Sequence, residues 1–272
     1  MLLGLLGSVI YPVLPDRAID PWHLVNPREA WLTVLLIAVL GFANYVLLKT
    51  LDSRRLYYTA AVGGMVNSTA TIAELSTYLK NSDENTTRPA TVINLITFAA
   101  MFLRNLLILV VFSRATARAA AGPMVIMAVA SAVIVWQQRR QIETRAVELK
   151  LSSPLPLLKV LRFGALFLAI EVLGSLGQRH FGTSGLFAVS FLGGFVSSAS
   201  SAGAAATLAM HQQISPHTAG FAVVLTSMTS ALSNLPLIHQ QVREWKLTPK
   251  LALITFGIIG LGLAVQGLWS LF

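Results

Sequence analysis

The sequence predicts an all-α, polytopic helical membrane protein with about eight membrane segments after a short N-terminal helix. Three observations carry this. Hydrophobic residues fill 55% of the 272 positions and charged residues only 11%, where a soluble domain carries about 25% charged. Runs such as 31–48, 122–136 and 251–272 approach the roughly 20 apolar residues that a helix needs to cross a bilayer. They neither alternate nor stop short, which argues against a β-barrel.

Taken in order, MLLGLLGSVIYPVLP is too short to cross comfortably. It lacks the basic flank and small-residue cleavage site of a signal peptide, so it reads as a shortened or partly buried first helix. Membrane segments follow near 31–49, 56–79, 89–112, 121–138, 156–177, 184–210, 216–240 and 249–271. Trp31, Trp136, Trp245 and Trp269 stand near segment ends, as in an aromatic belt. The polar stretch 137–156, closed by Pro154 and Pro156, divides the segments four and four. The chain thus reads as repeat 1 (1–140), a polar linker (141–155) and repeat 2 (156–272).

Two quoted stretches support a duplication: GGMVNSTATIAEL at 63–75 and GGFVSSASSAG at 193–203. A shift of 130 positions brings Leu56 onto Leu186, Gly63-Gly64 onto Gly193-Gly194, Val66 onto Val196, Ser68 onto Ser198 and Thr77 onto Thr207, with Asn67 on Ser197. A one-residue slip then brings Asn105 onto Asn234. Duplicated halves with interrupted helices are a common build of secondary transporters. If segment 56–80 crosses fully, each half has four spans and the repeats are parallel. If it dips in and returns, each half has three spans and the repeats are inverted. With the basic linker inside, the re-entrant arrangement also puts Lys49, Arg54, Arg55, Arg243, Lys246 and Lys250 inside. Turning the fully crossing arrangement over restores its charge bias, so charge leaves both open; the inverted arrangement is preferred slightly.

Gly63, Gly64, Gly193 and Gly194 are the expected helix breaks, because glycine lacks the side chain that enforces helical dihedrals. Backbone groups freed there must meet protein or a watery cavity. The expected ion- or substrate-binding residues are Asn67, Ser68, Thr71, Ser197, Ser198 and Ser201, with Asn105 and Asn234 on neighbouring helices. A helix N-terminus after the break favours negative charge. Glu74, Arg104 and Glu171 interrupt apolar runs, where a charge costs about 2.5–3.5 kcal/mol on insertion scales. Arg104 is therefore expected to pair with Glu74 or Glu171, either as a structural ion pair or beside a carboxylate that exchanges a proton or cation. Against a site stands a plainer reading: small residues let membrane helices approach closely, and serine hydroxyls bond back to their own helix. The second stretch, 193–206, has no ionisable side chain and fits that reading well.

The composition excludes several classes. Net charge is +9, but Arg139, Arg140, Arg145, Lys150 and Lys159 lie between apolar segments, which points to topology and lipid headgroups rather than nucleic acid. There is no cysteine, hence no disulfide or thiolate chemistry. Histidines show no metal-binding spacing, and no phosphate-binding loop or dinucleotide fingerprint occurs, so neither metal nor cofactor is expected. FGTSGLF at 181–187 superficially matches the serine loop of rhomboid proteases. However, His180, His211, His217 and His239 stand at segment ends and Ser184 reads as a helix N-cap, so the chain is not expected to be an enzyme.

The residues from YPVLPD through VGGMVNSTATIAEL resemble the membrane domain of unknown function found C-terminal to MgtC/SapB-type domains. The likeness rests on Leu14-Pro15-Asp16, Asn26-Pro27, Trp31, Gly63-Gly64, Val66 and Ser68-Thr69-Ala70-Thr71, with Asn67 at the family's usual serine. It extends through RFGALF (162–167) to the last segment. No MgtC-like domain occurs in these 272 residues, so no magnesium association is carried over. Where such proteins often carry an acidic DVDA-like sequence, 196–200 holds no carboxylate, which removes the basis for a cation site built on those acids. The resemblance implies an architecture and no substrate.

The expected function is a multi-pass transporter or channel-like protein of the bacterial cytoplasmic membrane. It would take an ion or small polar solute at the two interrupted helices, with Glu74 or Glu171 as coupling or charge-selecting group. The alternatives are a non-transporting regulatory protein whose small-residue faces bind another helix or a second copy in a homo-oligomer, and a lipid-handling protein with a lateral groove near Arg104.

Overall fold

The computed structural model describes residues 6–17, 26–28, 56–80, 87–138, 157–242 and 247–269, with scattered positions between 31 and 42. The 141–155 linker and most of segment 31–49 lie outside the described residues, and so does the boundary between the two halves. A π-helical turn, Leu6–Ile10, leads into α1 (Tyr11–Val13). Then come α2 (Leu56–Lys80), α3 (Thr87–Phe112), α4 (Arg114–Gln138), α5 (Leu157–Val196), α6 (Ser198–Met210), α7 (Pro216–Val242) and α8 (Leu247–Trp269). No strand occurs among the described residues. Helices close their backbone hydrogen bonds internally, which an apolar chain in hydrocarbon requires.

Among the described residues four stretches are long and apolar enough to cross a membrane: Pro89–Phe112, Arg114–Gln138, Pro216–Gln240 and Leu247–Trp269. Eight crossing helices are not supported: the segments at 56–79 and 184–210 are each built from two short helices, as the re-entrant arrangement requires, and most of 31–49 lies outside the described residues. In α2, Asn67 has φ −154° and ψ 101°, an extended residue between two helical stretches. Residues eight apart on a straight helix stand about 12 Å apart along the axis. A Cβ built on Gly63 would lie 2.5 Å from Thr71 Oγ1, so the stretch after Asn67 folds back against the stretch before it. Between α5 and α6 the same event recurs: Ser197 has φ −163° and ψ 103°, and a Cβ on Gly193 would collide with Ser201 Oγ.

The glycines are thus not the breaks that the sequence predicted. Gly63, Gly64, Gly193 and Gly194 remain helical, and the chain opens at Asn67 and Ser197. The first glycine of each pair leaves room for the returning half-helix. The second brings the hairpin onto a neighbouring backbone: a Cβ on Gly64 would stand 2.9 Å from the Thr97 carbonyl oxygen, and one on Gly194 would stand 2.5 Å from that of Thr226. Thr97 and Thr226 also donate their hydroxyls to the Ala60 and Ser190 carbonyls, at 3.3 and 2.7 Å.

A straight α5 of 40 residues would run about 60 Å, twice the hydrocarbon thickness of a bilayer. Gly182 resolves this with φ +61° and ψ −150°, a conformation open almost solely to glycine. A Cβ on Gly177 would meet the Gly185 carbonyl at 3.0 Å, so 157–181 and 183–196 pack side by side. GTSG is this turn. Ser184 is exposed and makes no capping hydrogen bond, contrary to the N-cap expected of it.

The hairpins seat in the middle of the molecule. α2 and α6 each pack against both α3 and α7. Phe98, Met101 and Phe102 of α3, Met124 and Met127 of α4, and Val223 and Val224 of α7 belong to one buried cluster. At the N-terminus the LPD and NP motifs clasp each other. Arg28 Nη1 meets Asp16 Oδ2 at 3.2 Å, Arg28 Nε donates to the Leu14 carbonyl at 3.1 Å, and Asn26 Nδ2 donates to Asp16 Oδ1 at 3.3 Å. The ion pair is partly exposed, so its worth is about 0–1 kcal/mol; it fixes the chain's path more than its stability.

Candidate functional site at the meeting of two broken helices

Each break is built the same way. After the extended residue a new helix begins, and its first N–H groups lack intrahelical acceptors. Asn67 Oδ1 accepts from the Ala70 N–H at 3.0 Å, and Ser197 Oγ accepts from the Ser200 N–H at 3.3 Å. Both are N-caps, which is why an amide and a hydroxyl stand where the polar runs begin. Thr71 Oγ1 donates back to the Asn67 carbonyl at 2.8 Å.

Arg104, about two thirds of the way along α3 and 5% exposed, joins the two breaks. Its Nη1 donates to the Val66 carbonyl at 3.1 Å, at the end of the first half-helix of α2. Its Nη2 donates to Ser198 Oγ at 2.8 Å, on the first residue of α6. Nε and Nη2 share Asn105 Oδ1 at 3.2 and 3.1 Å, and Asn105 Nδ2 donates to Ser227 Oγ of α7 at 2.9 Å. Ser227 in turn donates to the Val223 carbonyl at 2.8 Å. One guanidinium therefore touches both interruptions, and a chain of hydrogen bonds ties it to α7.

The expected pairing of Arg104 with Glu74 or Glu171 does not occur. Among the described residues no carboxylate pairs with Arg104; all its acceptors are a carbonyl, an amide oxygen and a hydroxyl. Glu74 is exposed. Glu171 is buried at 3% exposure, but it sits beside the far end of α6. Phe167 packs with Ala204, and a Cβ on Gly174 would lie 3.3 Å from Leu208, so Glu171 falls beyond the break at Ser197. Arginine's neutral acceptors suffice sterically because its planar head carries five N–H donors; they leave its charge without a counter-charge among the described residues.

The remaining predicted residues divide. Ser68 is buried and donates to Met101 Sδ at 3.3 Å. Ser201 is buried with its hydroxyl unpartnered. Asn234 is fully buried with both amide atoms unpartnered, two turns beyond Ser227 on α7. Asn67 is exposed and its side chain caps the helix that follows. Val66 and Ser227 were not foreseen: Val66 contributes a backbone oxygen that any residue possesses, and Ser227 is one hydroxyl among several in TSMTS. Thr97 and Thr226 could have been found by carrying the 129-position shift of Asn105 and Asn234 back along the helices. No group of three or more metal-ligating side chains occurs among the described residues. A cleft lined by Phe187, His217, Thr218, Phe221, Leu263, Gln266 and Gly267 contains none of the predicted site residues and does not reach Arg104, where a lipid-handling groove was expected.

Long apolar helices wrapped around two folded-back pairs, with a buried arginine at the contact, define the class as a helical membrane protein. Within that class the chain belongs to the family described as Domain of unknown function (DUF4010), whose pattern matches residues 35–239. No curated protein and no solved structure matches the chain.

Proposed function

We propose that the protein is a multi-pass transporter or channel-like protein of the bacterial cytoplasmic membrane, taking an ion or small polar solute where the two hairpins meet. The observation that carries this is Arg104 bound at once to Val66 and Ser198, which brings two polar, broken helices together away from hydrocarbon. Non-helical backbone at membrane depth is tolerated only inside protein or beside water, and in transporters it marks the binding site. The two halves read as inverted repeats of three spans and one re-entrant hairpin. Support comes from matched contacts: Gly63 with Thr71 and Gly193 with Ser201, Gly64 with Thr97 and Gly194 with Thr226. A segment that folds back on itself fits the arrangement in which the basic loops share one face. Glu171 is kept as the buried carboxylate near the second hairpin. The glycine faces are occupied inside the chain, which disfavours the reading in which they bind a separate helix. The likeness to domains beside MgtC/SapB-type proteins adds no substrate.

The chain has no native cysteine, so Ser197→Cys can be modified alone. In reconstituted vesicles the protein should carry flux from a panel of ions and small solutes above that of empty vesicles. A charged thiosulfonate on Ser197→Cys should reduce that flux. Absence of flux for every solute, or full flux after complete modification, would sink the proposal.

A further inference from the structure

We infer that the site takes a small anion, held by Arg104 and the N-terminal end of α6; this deepens the transport reading and rests on it for the route, not for the binding. The groups that converge here are donors. Arg104 has five N–H donors and makes four hydrogen bonds, leaving one N–H of Nη1 without an acceptor among the described residues. Ser198 Oγ accepts from Arg104, so its own O–H remains to be given. The first backbone N–H groups of α6, a helix of 13 residues, have no intrahelical acceptor beyond the one that Ser197 caps. A second observation points to a ligand: the Ser201 hydroxyl, one turn into α6 and 3% exposed, has no hydrogen-bond partner among the described residues.

The electrostatics have the same sign. Arg104 carries a positive charge with no carboxylate against it among the described residues. The N-terminus of α6 and that of the helix after Asn67 each add the positive end of a dipole. The carbonyl end at Val66 offsets part of this and is already engaged by Nη1. A cation entering here would meet a guanidinium with no carboxylate beside it among the described residues, whereas an anion would supply a counter-charge. A planar or tetrahedral oxyanion suits the fork of a guanidinium, and a halide suits its edge.

The test is binding and flux on the same purified protein. Nitrate, phosphate, chloride and fluoride are titrated at constant ionic strength with a bulky organic anion as filler, following melting temperature, and sodium and potassium are then exchanged under one anion. The expected result is stabilisation that follows the anion and ignores the cation. It should be lost in Arg104→Gln, weakened about tenfold or more in Arg104→Lys, which keeps charge and loses the fork, and weakened less in Ser198→Ala. Should Arg104→Gln fail to fold, the lysine and alanine variants decide. Stabilisation by cations alone, or unchanged anion binding in Arg104→Lys and Ser198→Ala, overturns the inference. In vesicles, anion binding without flux keeps the anion site and removes the transport reading. Cation flux indifferent to anions keeps transport and overturns the anion site.

Discussion

Arg104 holds its place through neutral oxygens, and its neighbours explain why small residues surround it. Gly64 and Gly194 press hairpin backbone onto the Thr97 and Thr226 carbonyls, so any side chain there must push a helix outward. Gly64→Ala should destabilise by about 1–3 kcal/mol, the usual cost of overpacking, and lower the melting temperature of the purified protein. Gly257→Ala, with nothing within 4 Å of a new Cβ, should leave it unchanged or raise it, since alanine gains up to about 1 kcal/mol of helix propensity. Equal responses would mean that the glycine contacts carry no packing role. At this scale the members of the site were legible, because polar residues in apolar runs are costly and stand out: Arg104, Asn105, Ser198 and Ser201 were all named from sequence. Their partnerships were not. A carboxylate is the obvious match for a lone arginine by charge, while the actual acceptors include the Val66 carbonyl, invisible in a string of side chains.

Among the elements, the hairpins depend on single backbone residues. Gly182 has open space around it, so a side chain meets no clash, yet its φ of +61° and ψ of −150° strain any other residue. Gly182→Ala should cost about 1–3 kcal/mol and loosen the packing of 157–181 on 183–196, seen as faster proteolysis at the turn. A variant with wild-type stability would show that α5 bends for another reason. Hydropathy located apolar segments but left crossing and re-entrant ones undistinguished, since a folded-back pair of short helices has the same composition as one crossing helix. The glycine pairs marked the right places for the wrong reason. They lie three and four residues ahead of each opening, where the halves touch, and the openings themselves sit at the caps Asn67 and Ser197.

For the whole molecule, the distinction that matters is inverted against parallel halves. Arg114 opens α4 and Lys250 lies in the first turn of α8, and both are exposed. Inverted halves put these two positions on opposite faces of the membrane; parallel halves put them on one. With Arg114→Cys and Lys250→Cys made separately, a membrane-impermeant maleimide should label only one in sealed cells and both after permeabilisation. Labelling of both, or of neither, in sealed cells would support parallel halves. In the sequence this level of organisation rests on the repeated glycine motifs and a slight preference for re-entrant segments, whereas the residue at which the first segment folds back, Asn67, was not legible.

The central claim is that the two interruptions meet within one chain. Val66 and Val196 end the first half-helix of each pair and are exposed at 46% and 60%, so cysteines there are reachable. With a protease site placed in the 141–155 linker, a short thiol cross-linker applied to Val66→Cys/Val196→Cys should keep the two halves joined on a denaturing gel after cleavage. Halves that separate, although both cysteines react fully with a single-ended maleimide, would contradict the account.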